Sequence, residues 1–525
     1  MKYPIGIQDF ESIINGNYVY VDKTALVYRL VTEGKIYFLS RPRRFGKSLL
    51  ISTLEAYFRG KKELFKGLAI DSLETEWAEY PVFHLDFNGE DYTKPGTLEK
   101  VIEKFLSVQE SIYGKNPINQ TTGSRFMGVL QAAHQKTGKR AVVLIDEYDK
   151  PLLDVLDTGI SATVDGERRL LEEHHRNILK GFYSVFKSAD RNLQFVLLTG
   201  VTKFSQVSVF SGFNQSEDIS MSRDFEALCG ITEEELYHYF AEPIAELAED
   251  NDCSVDEMKQ MLKKQYDGYH FGKRMTDIYN PFSILNAFSM CSIDDYWFRS
   301  GTPTYLIRLL NHTQENLNEL TGKYYDTSEF IDYKADVEKP LPMIYQSGYL
   351  TVKDFDREMN TYLLDFPNNE VKKGFVTMVA NDYLKAKDKA GSWARDIVGA
   401  LKIGDLELFR KLLTSFLADI PYTMRRKETE RYFHYTFYLL MRMVSCYTVY
   451  TEKQQSEGRV DCIVETPNYI YIFEFKLDGT ANEALTQIEE KGYARPYEAD
   501  GRKLFKVGVV FSSETGTIGD FTVKD

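Results

Sequence analysis

The sequence has few cysteines and no pairing pattern among them. Its five cysteines are scattered, odd in number and without C-x-x-C spacing, which argues against a disulfide framework or a zinc site and indicates reduced thiols. We therefore expect a cytoplasmic protein. The five are Cys229, Cys253, Cys291, Cys446 and Cys462.

Long apolar runs are absent as well. No run reaches the roughly 18 residues that a membrane-spanning helix needs, and the start, Met1-Lys2-Tyr3-Pro4, does not open a signal peptide. Internal repeats, low-complexity linkers and Ser/His/Asp or Cys/His nucleophile patterns are also missing. The 525 residues are 43% hydrophobic and 14% aromatic, which predicts packed globular domains, about three or four at roughly 100–200 residues each.

An excess of positive charge is lacking too, because the formal net charge is −14. A nucleic acid would therefore have to contact local basic patches rather than a positive overall field. Three short basic runs are candidates, although solvated surface charge is the simpler interpretation of each. They are residues 41–44, 425–427 and 502–503.

The first part of the chain alternates hydrophobic strands with helical stretches, which predicts an α/β fold with a mainly parallel sheet. The strands that end at Asp146 and Thr199 are continuous apolar runs, as expected of strands covered on both faces. Strands are predicted at residues 35–40, 80–87, 141–146 and 193–199, and helices near Gly46, Thr97 and Gly166.

Three regions follow this predicted first domain, residues 1–225. Residues 226–320 predict a helical lid module that starts with an N-cap at Thr232. Residues 321–404 predict a winged-helix-like connector with a hairpin of residues 348–353 and 361–365. Residues 405–525 predict an α-β-β-β-α-β domain, with a helix at 427–444, strands at 447–451, 459–465 and 469–476, a helix at 482–498 and a strand at 504–511.

Residues 41–48 resemble a phosphate-binding loop. They match the second half of G-x-x-x-x-G-K-[ST] and lie between a strand and a helix, as the motif requires, although Arg41 replaces the first glycine. Lys47 would reach the β- and γ-phosphates of ATP and Ser48 the Mg²⁺, while backbone N–H groups meet phosphate oxygens. The predicted nucleotide contacts are Arg44, Phe45, Gly46, Lys47, Ser48, Asp146 and Thr199.

The partners of this loop are predicted at the ends of two buried strands. Asp146 would hold Mg²⁺ through water, and Glu147 would orient and deprotonate the attacking water. Thr199 is expected to sense the γ-phosphate. A surface carboxylate is the simpler interpretation of Glu147, and no arginine finger can be named. ATP and Mg²⁺ are the predicted cofactors.

A second site is predicted near the C-terminus. Glu474 and Lys476 lie two apart on a strand and share one face, and a hairpin would bring Asp461 beside them. Asp461 and Glu474 would bind Mg²⁺ and activate a water, and Lys476 would orient or activate the nucleophile. This trio predicts a Mg²⁺-dependent phosphodiesterase. The alternative is an ordinary Glu–Lys pair that stabilises a sheet.

Three more residues are candidates for supporting roles at this second site. Glu430, on the predicted preceding helix, would add a carboxylate, and Glu452 is its rival for that role. Gln487, on the predicted following helix, would brace the site or contact a backbone phosphate.

Together these motifs resemble a bacterial family with an N-terminal AAA-ATPase-like domain and a C-terminal PD-(D/E)XK nuclease domain. The resemblance covers nearly the whole chain. It implies an ATP-binding core and a restriction-endonuclease-like fold, places Asp22 and Lys23 near the nucleotide site, and makes the arginine-rich loop the family's own form. The matching segments are residues 18–24, 38–48, 279–283, 300–304, 458–461 and 474–476.

The leading hypothesis is an ATP-regulated nuclease that acts on nucleic acid, with DNA favoured over RNA and self-association into a homo-oligomer. The alternative is a non-catalytic ATP switch whose nuclease-like domain binds nucleic acid or a protein without cutting. A third possibility is an ATPase whose C-terminal domain mediates assembly. The acidic net charge favours the switch, whereas an intact Asp/Glu/Lys trio favours cutting, because clustered buried charges are costly to retain.

Overall fold

The computed structural model describes most of the chain. The described residues are 1–164, 166–204, 216–299, 306, 320–331, 339–384, 390–418, 433, 436–437, 440–441, 448–455 and 458–525. Among the helices of this described part, none has the length and apolar character needed to cross a bilayer. The described cysteines, Cys229, Cys253, Cys291 and Cys462, are all free thiols.

The chain divides into two units. The first comprises Met1–Glu315 and Glu319–Val371, and the second comprises Asn316–Asn318 and Lys372–Asp525. The finer division into regions 1–225, 226–320, 321–404 and 405–525 stays a prediction.

The first unit is built on a five-stranded sheet of order β2-β3-β6-β1-β7 in which every pair is parallel. The predicted α/β class and the four predicted strands are confirmed. Strand β3 is buried at every position, as its continuous apolar run predicts. The strands are β1 (Ile36–Ser40), β2 (Val82–Asp86), β3 (Ala141–Asp146), β6 (Leu193–Gly200) and β7 (Glu217–Asp218).

Eight helices accompany this sheet among the described residues. The first of the predicted helices, near Gly46, begins at Lys47, and the second begins at Thr97. They are α1 (Phe10–Asn15), α2 (Thr24–Glu33), α3 (Lys47–Phe58), α4 (Thr97–Tyr113), α5 (Thr122–Thr137), α6 (Lys150–Leu153), α7 (Leu171–Tyr183) and α8 (Val185–Ser188).

The helix predicted near Gly166 was placed too early. Strands β4 (Ser161–Val164) and β5 (Glu167–Leu170) pair as an antiparallel hairpin, and the helix α7 starts only at Leu171. Gly166 has φ +82 in the hairpin turn, a conformation that glycine adopts without steric strain. The side chains of β5 are all exposed, so the strand has no apolar alternation by which to recognise it.

The rest of the first unit is mainly helical, as predicted. The N-cap at Thr232 is confirmed and forms a capping box with Glu235. Strands β8 (Ile231–Thr232) and β9 (Ile278–Tyr279) form a small antiparallel pair in this part of the chain. The helices are α9 (Glu233–Tyr239), α10 (Ala241–Asp250), α11 (Val255–Tyr266), α12 (Pro281–Met290), α13 (Tyr296–Arg299), α14 (Thr327–Phe330) and α15 (Leu341–Gln346).

The predicted hairpin in this region is present. Strands β11 (Thr351–Asp356) and β12 (Thr361–Asp365) are antiparallel neighbours, and β10 (Lys323–Tyr325) pairs with β12 to complete a three-stranded sheet. Helix α16 (Asn369–Leu384) follows and continues from the first unit into the second.

The second unit contains a five-stranded sheet of order β13-β14-β15-β16-β17. Only β15 and β16 are parallel, and helix α19 is the connection between them. Apart from the predicted helix 427–444, of which only a few residues are described, the predicted element order is confirmed, and β17 is an additional edge strand. The elements are α17 (Ala390–Ile403), α18 (Leu406–Ala418), β13 (Thr448–Gln455), β14 (Gly458–Glu465), β15 (Tyr469–Leu477), α19 (Ala481–Glu490), β16 (Lys503–Phe511) and β17 (Ile518–Lys524).

Candidate functional site

The phosphate-binding loop connects the end of β1 to the start of α3. Arg44 has φ +67 and Gly46 has φ +93, and these left-handed conformations turn the backbone sharply into the helix. The Lys47 side chain is buried inside the loop, where Nζ donates to the carbonyl oxygens of Arg41 at 3.1 Å and Pro42 at 3.3 Å. Ser48 follows in the first turn of α3 and is partly exposed.

The predicted partner residues lie beside this loop because β1, β3 and β6 end at the same edge of the sheet. Thr199 Oγ1 donates to Asp146 Oδ1 at 2.5 Å, and Glu147 Oε1 lies 3.5 Å from Lys47 Nζ. Glu147 has φ +50, a conformation that costs a non-glycine residue energy and is concentrated at functional sites. The structure thus brings Lys47, Asp146, Glu147 and Thr199 together, as predicted.

Asp149 was missed by the sequence analysis. It is fully buried, and its Oδ2 accepts the N–H groups of Val201 at 3.0 Å and Thr202 at 2.6 Å. Burial, together with the nearby Glu147 charge, raises the pKa of Asp149 to about 7. Asp149 therefore ties the segment after Thr199 to the Asp146-Glu147 turn. The sequence signal for Asp149 is that it is the third acidic residue in the run Asp146-Glu147-Tyr148-Asp149.

Arg41 does not have the solvated surface position that the sequence favoured. Its side chain is buried, with only 1% of the residue exposed. The guanidinium donates to the carbonyl oxygens of Ser40 at 2.9 Å, Ser220 at 2.7 Å and Phe225 at 3.3 Å. It also lies 4.1 Å from the ring centre of Phe271, a favourable cation–π distance. Arg41 therefore fixes the start of the loop to the segment that contains Ser220 and Phe225, and its side chain is not available to nucleic acid.

A mostly apolar pocket opens beside Gly46 in the first unit. Its walls include Val19, Tyr20, Leu50, Leu228, Cys229 and Leu285. Pockets of this kind accept flat, mostly apolar groups such as a nucleobase. Its position next to the phosphate-binding loop suits the base of a nucleotide whose phosphates lie on that loop.

The segment 18–24, which carries part of the family resemblance, forms one side of this pocket. Lys23 lines it and donates to both carboxylate oxygens of Glu235 at 2.5–2.6 Å. Asp22 accepts the N–H groups of Thr24 and Ala69 and so shapes the start of α2. Lys23 therefore connects the N-terminal segment to α9 at the pocket wall, whereas Asp22 has a structural role.

The second predicted site lies on β14 and β15. Asp461 directly precedes Cys462 on β14, and Cys462 pairs with Phe473 on β15. The Asp461 Oδ2 accepts the Phe475 N–H at 2.8 Å. Lys476 Nζ lies 3.7 Å from Glu474 Oε1 on the same strand. The structure therefore brings Asp461, Glu474 and Lys476 together.

Gln487, on α19, completes this cluster. Its Oε1 accepts from Lys476 Nζ at 2.7 Å, and its Nε2 donates to Glu474 Oε1. The side-chain amide therefore bridges the two catalytic candidates on β15. This contact corresponds to the bracing position considered for Gln487 from the sequence.

The cluster fits a divalent cation. Glu474 is 1% exposed, and its Oε2 is buried without a hydrogen-bond partner. Burial and the nearby Asp461 charge raise the pKa of Glu474 to about 8, so a cation here would relieve repulsion between two carboxylates. Within the described residues no group of three or more His, Cys, Asp or Glu side chains forms a metal site. Mg²⁺ is commonly held by one or two carboxylates plus water, a number of protein ligands that Asp461 and Glu474 match.

Several predicted elements cannot be placed at this site. Glu430, the side chain of Glu452, the basic run 425–427 and the segment 300–304 lie outside the described residues. Arg502, from the third basic run, donates to Glu465 at 2.9 Å and to Asp500 at 2.7–2.9 Å. Its charge is therefore already paired within the second unit.

Comparison with known proteins supports an N-terminal AAA-like and a C-terminal nuclease-like domain. Residues 4–210 match the family described as Predicted AAA-ATPase, and residues 428–521 match the PD-(D/E)XK nuclease superfamily. The "Uncharacterized protein in vnfD 5'region" of Azotobacter chroococcum mcd 1 is 33% identical over 533 residues, which cover 100% of this chain and 99% of that protein. The chain therefore belongs to the family of predicted AAA-ATPases whose C-terminal part is a domain of the PD-(D/E)XK nuclease superfamily.

Proposed function

We propose that this protein binds and hydrolyses ATP and uses it to regulate a Mg²⁺-dependent nuclease in its C-terminal unit, with DNA as substrate. The observation that carries the proposal is the cluster of Asp461, Glu474, Lys476 and Gln487 on adjacent elements, with a buried and unpartnered Glu474 oxygen. A cytoplasmic location and a homo-oligomeric state belong to the same proposal.

In the nuclease reaction Asp461 and Glu474 would hold the Mg²⁺. The metal ion would lower the pKa of a bound water and stabilise the charge that develops on the phosphate. Lys476, oriented by Gln487 through a 2.7 Å hydrogen bond, would position the nucleophile at the scissile phosphate. Gln487 also donates to Glu474. The same side chain would therefore hold the metal ligand Glu474 and the lysine Lys476 in a fixed position relative to each other.

At the nucleotide site Lys47 would leave the loop carbonyls to bind the β- and γ-phosphates. Ser48 and Asp146 would hold the Mg²⁺ of Mg-ATP, and Thr199, bonded to Asp146, would sense the γ-phosphate. Glu147, released from Lys47, would orient the attacking water and accept its proton. Arg44, Phe45 and Gly46 would complete the nucleotide contacts, and Phe45 and Gly46 also line the apolar pocket that would receive the base.

The test is cleavage of supercoiled plasmid, linear duplex DNA, single-stranded DNA and RNA, with Mg²⁺ and ATP present throughout. Lys476→Ala is expected to lower the cleavage rate at least 100-fold, because the group that positions the nucleophile is lost. Lys411→Ala is the matched control, since Lys411 is an exposed lysine of α18 in the same unit, and its Nζ lies 3.9 Å from Glu407 Oε1. Its rate should stay within twofold of wild type.

Other outcomes distinguish the alternatives. Binding of DNA without cleavage by the wild type would favour the non-catalytic switch, which the net charge of −14 also favours because it weakens general attraction to phosphate. ATP hydrolysis without any interaction with nucleic acid would favour the third possibility, an ATPase whose second unit mediates assembly. Equal loss of cleavage in Lys476→Ala and Lys411→Ala would argue against the assigned site.

A further inference from the structure

The outer side of the phosphate-binding loop is held by residues that are distant in sequence. The Trp297 indole Nε1 donates to the Arg43 carbonyl oxygen at 3.0 Å. The Arg44 guanidinium lies 4.9 Å from the ring centre of Phe282. A Cβ placed on Gly348 would be 2.5 Å from the Pro42 side chain, so only glycine fits there. We call Phe282, Trp297 and Gly348 the collar of the loop.

Two members of the collar depend on one buried carboxylate. Glu370 is 1% exposed, and its Oε1 accepts the Trp297 backbone N–H at 2.6 Å while Oε2 accepts Ser283 Oγ at 2.8 Å. Ser283 follows Phe282 in the first turn of α12, whereas Trp297 lies in α13. Glu370 therefore holds the helices that present Phe282 and Trp297 to the loop.

The collar also gives a structural role to the segment 279–283, which carries part of the family resemblance but none of the proposed catalytic residues. Asn280 is the N-cap of α12, and its side chain accepts the N–H groups of Phe282 at 2.9 Å and Ser283 at 3.3 Å. Pro281 occupies the first turn, where a missing N–H does no harm. The segment thus fixes the helix start that carries both the loop contact and the contact to Glu370.

Glu370 lies at the start of α16, at the point where the chain leaves the first unit. Helix α16 begins at Asn369, and the border between the units falls after Val371. The helix that carries Glu370 therefore extends past the border into the sequence of the unit that carries Asp461, Glu474 and Lys476. Coupling between distant sites can be carried by packed side chains, hydrogen bonds and secondary-structure elements that have two discrete arrangements.

We infer that Trp297 and Glu370 are positioning residues of the nucleotide site, which fix the Arg43 carbonyl of the phosphate-binding loop to the first turn of α16 and so connect nucleotide binding to the nuclease unit. This inference rests on the proposed function. Phosphates that draw Lys47 away from the carbonyls of Arg41 and Pro42 change the conformation of the loop, and the Arg43 carbonyl next to them is the acceptor of the Trp297 indole. A change at the loop is therefore transmitted to Trp297 and from its backbone N–H to Glu370.

The first readout is nucleotide affinity, measured by titration with a fluorescent ATP analogue. Trp297→Phe, which removes the indole donor, should weaken binding at least 10-fold, and Glu370→Gln should weaken it at least threefold. Trp393→Phe is the matched control, because Trp393 is also buried and its Nε1 donates to the Leu412 carbonyl at 2.9 Å in the second unit. Its affinity should equal that of wild type. Thermal melts of each variant check that it is folded.

The second readout responds to coupling rather than to folding. The chain has three tryptophans, so the double variant Trp77→Phe/Trp393→Phe leaves Trp297 as the only indole. Saturating ATP should change its emission, and adding Glu370→Gln should reduce that change at least twofold. In cleavage assays Glu370→Gln should move the ratio of the rates with and without ATP toward one.

The possible results distinguish a failure of this inference from a failure of the proposed function on which it rests. A wild type that binds no ATP would overturn both. ATP binding by wild type, combined with unchanged affinity in folded Trp297→Phe and Glu370→Gln and no emission change at Trp297, would overturn the inference alone.

Discussion

Arg41 occupies the position at which the phosphate-binding consensus has its first glycine, and its guanidinium binds three backbone carbonyl oxygens behind the loop. No carboxylate in the described part of the chain forms an ion pair with it. Burial lowers the pKa of Arg41, because the charged form loses its hydration. A loop held in this way does not need the freedom of a glycine at its start.

Restoring the consensus should therefore damage the protein. Arg41→Gly leaves three carbonyl oxygens without their donor and opens a space against Phe271, so we expect a loss of about 2–5 kcal/mol in the free energy of unfolding and weaker ATP binding. Urea unfolding and titration with a fluorescent ATP analogue measure the two effects. Arg59→Gly is the control, because the exposed Arg59 pairs with the neighbouring Glu55 at the surface and its loss should change stability by less than about 1 kcal/mol. Wild-type stability and affinity in Arg41→Gly would contradict this role.

At the residue scale, the residues that could be identified from the sequence are those that belong to short local motifs. Lys47 and Glu147 could be identified because each belongs to a short motif at the end of a strand. The role of Arg41 could not, since its acceptors at Ser220 and Phe225 follow about 180 residues later. Glu370 is missed for the same reason, because its carboxylate binds Trp297 and Ser283, which precede it by 73 and 87 residues.

At the scale of elements, α11 ends in an unfavourable charge. Asp267 is the C-cap of this helix, where the helix dipole disfavours a negative charge. Both of its carboxylate oxygens are buried without hydrogen-bond partners, and Lys263 Nζ is 3.8 Å away. Burial, followed by the nearby Asp277 charge, raises the pKa of Asp267 to about 7 from 3.8.

Asp267→Asn should stabilise the protein above neutral pH. Because the folded-state pKa lies above the unfolded value, the folded protein binds a proton that the unfolded chain lacks, and stability falls as the pH rises from about 4 to 7. Each pKa unit corresponds to about 1.4 kcal/mol, so the amide should add on the order of 2–4 kcal/mol at pH 8 and less at pH 5. Urea unfolding at both pH values, followed by circular dichroism, measures the difference.

Asp277→Asn makes the same chemical change with the opposite expected sign. Asp277 accepts hydrogen bonds from Lys263 at 2.9 Å and His270 at 2.8 Å, so its neutral variant should be less stable than wild type. A lower stability of Asp267→Asn at pH 8, similar to that of Asp277→Asn, would show that the Asp267 charge is favourable.

Strands buried on both faces were predicted correctly, whereas the edge strands β7 and β17 were not. Strands β3 and β6 are continuous apolar runs because helices cover both sides of a parallel sheet. The edge strand β7 has only two residues, and most side chains of β17 are partly or fully exposed, so neither carries a hydrophobic pattern. The exposed strand β5 was predicted as the beginning of α7 for the same reason.

At the scale of the whole molecule, two candidate phosphate-handling sites lie on one chain. Lys47, Asp146, Glu147 and Thr199 are grouped in the first unit, and Asp461, Glu474, Lys476 and Gln487 in the second. Helix α16 is the described element that belongs to both units. ATP-dependent control of cleavage is therefore the central claim for the whole molecule.

The measurement that tests this claim most directly is the rate of Mg²⁺-dependent plasmid cleavage with and without ATP. It compares wild type, Lys47→Ala, Lys476→Ala and the control Lys62→Ala, in which an exposed lysine of the first unit is removed. We expect ATP to change the rate at least fivefold in wild type and Lys62→Ala. Lys47→Ala should cleave at one rate in both conditions, and Lys476→Ala should not cleave. Cleavage by wild type that is independent of ATP, or an ATP response that survives in Lys47→Ala, would contradict the claim.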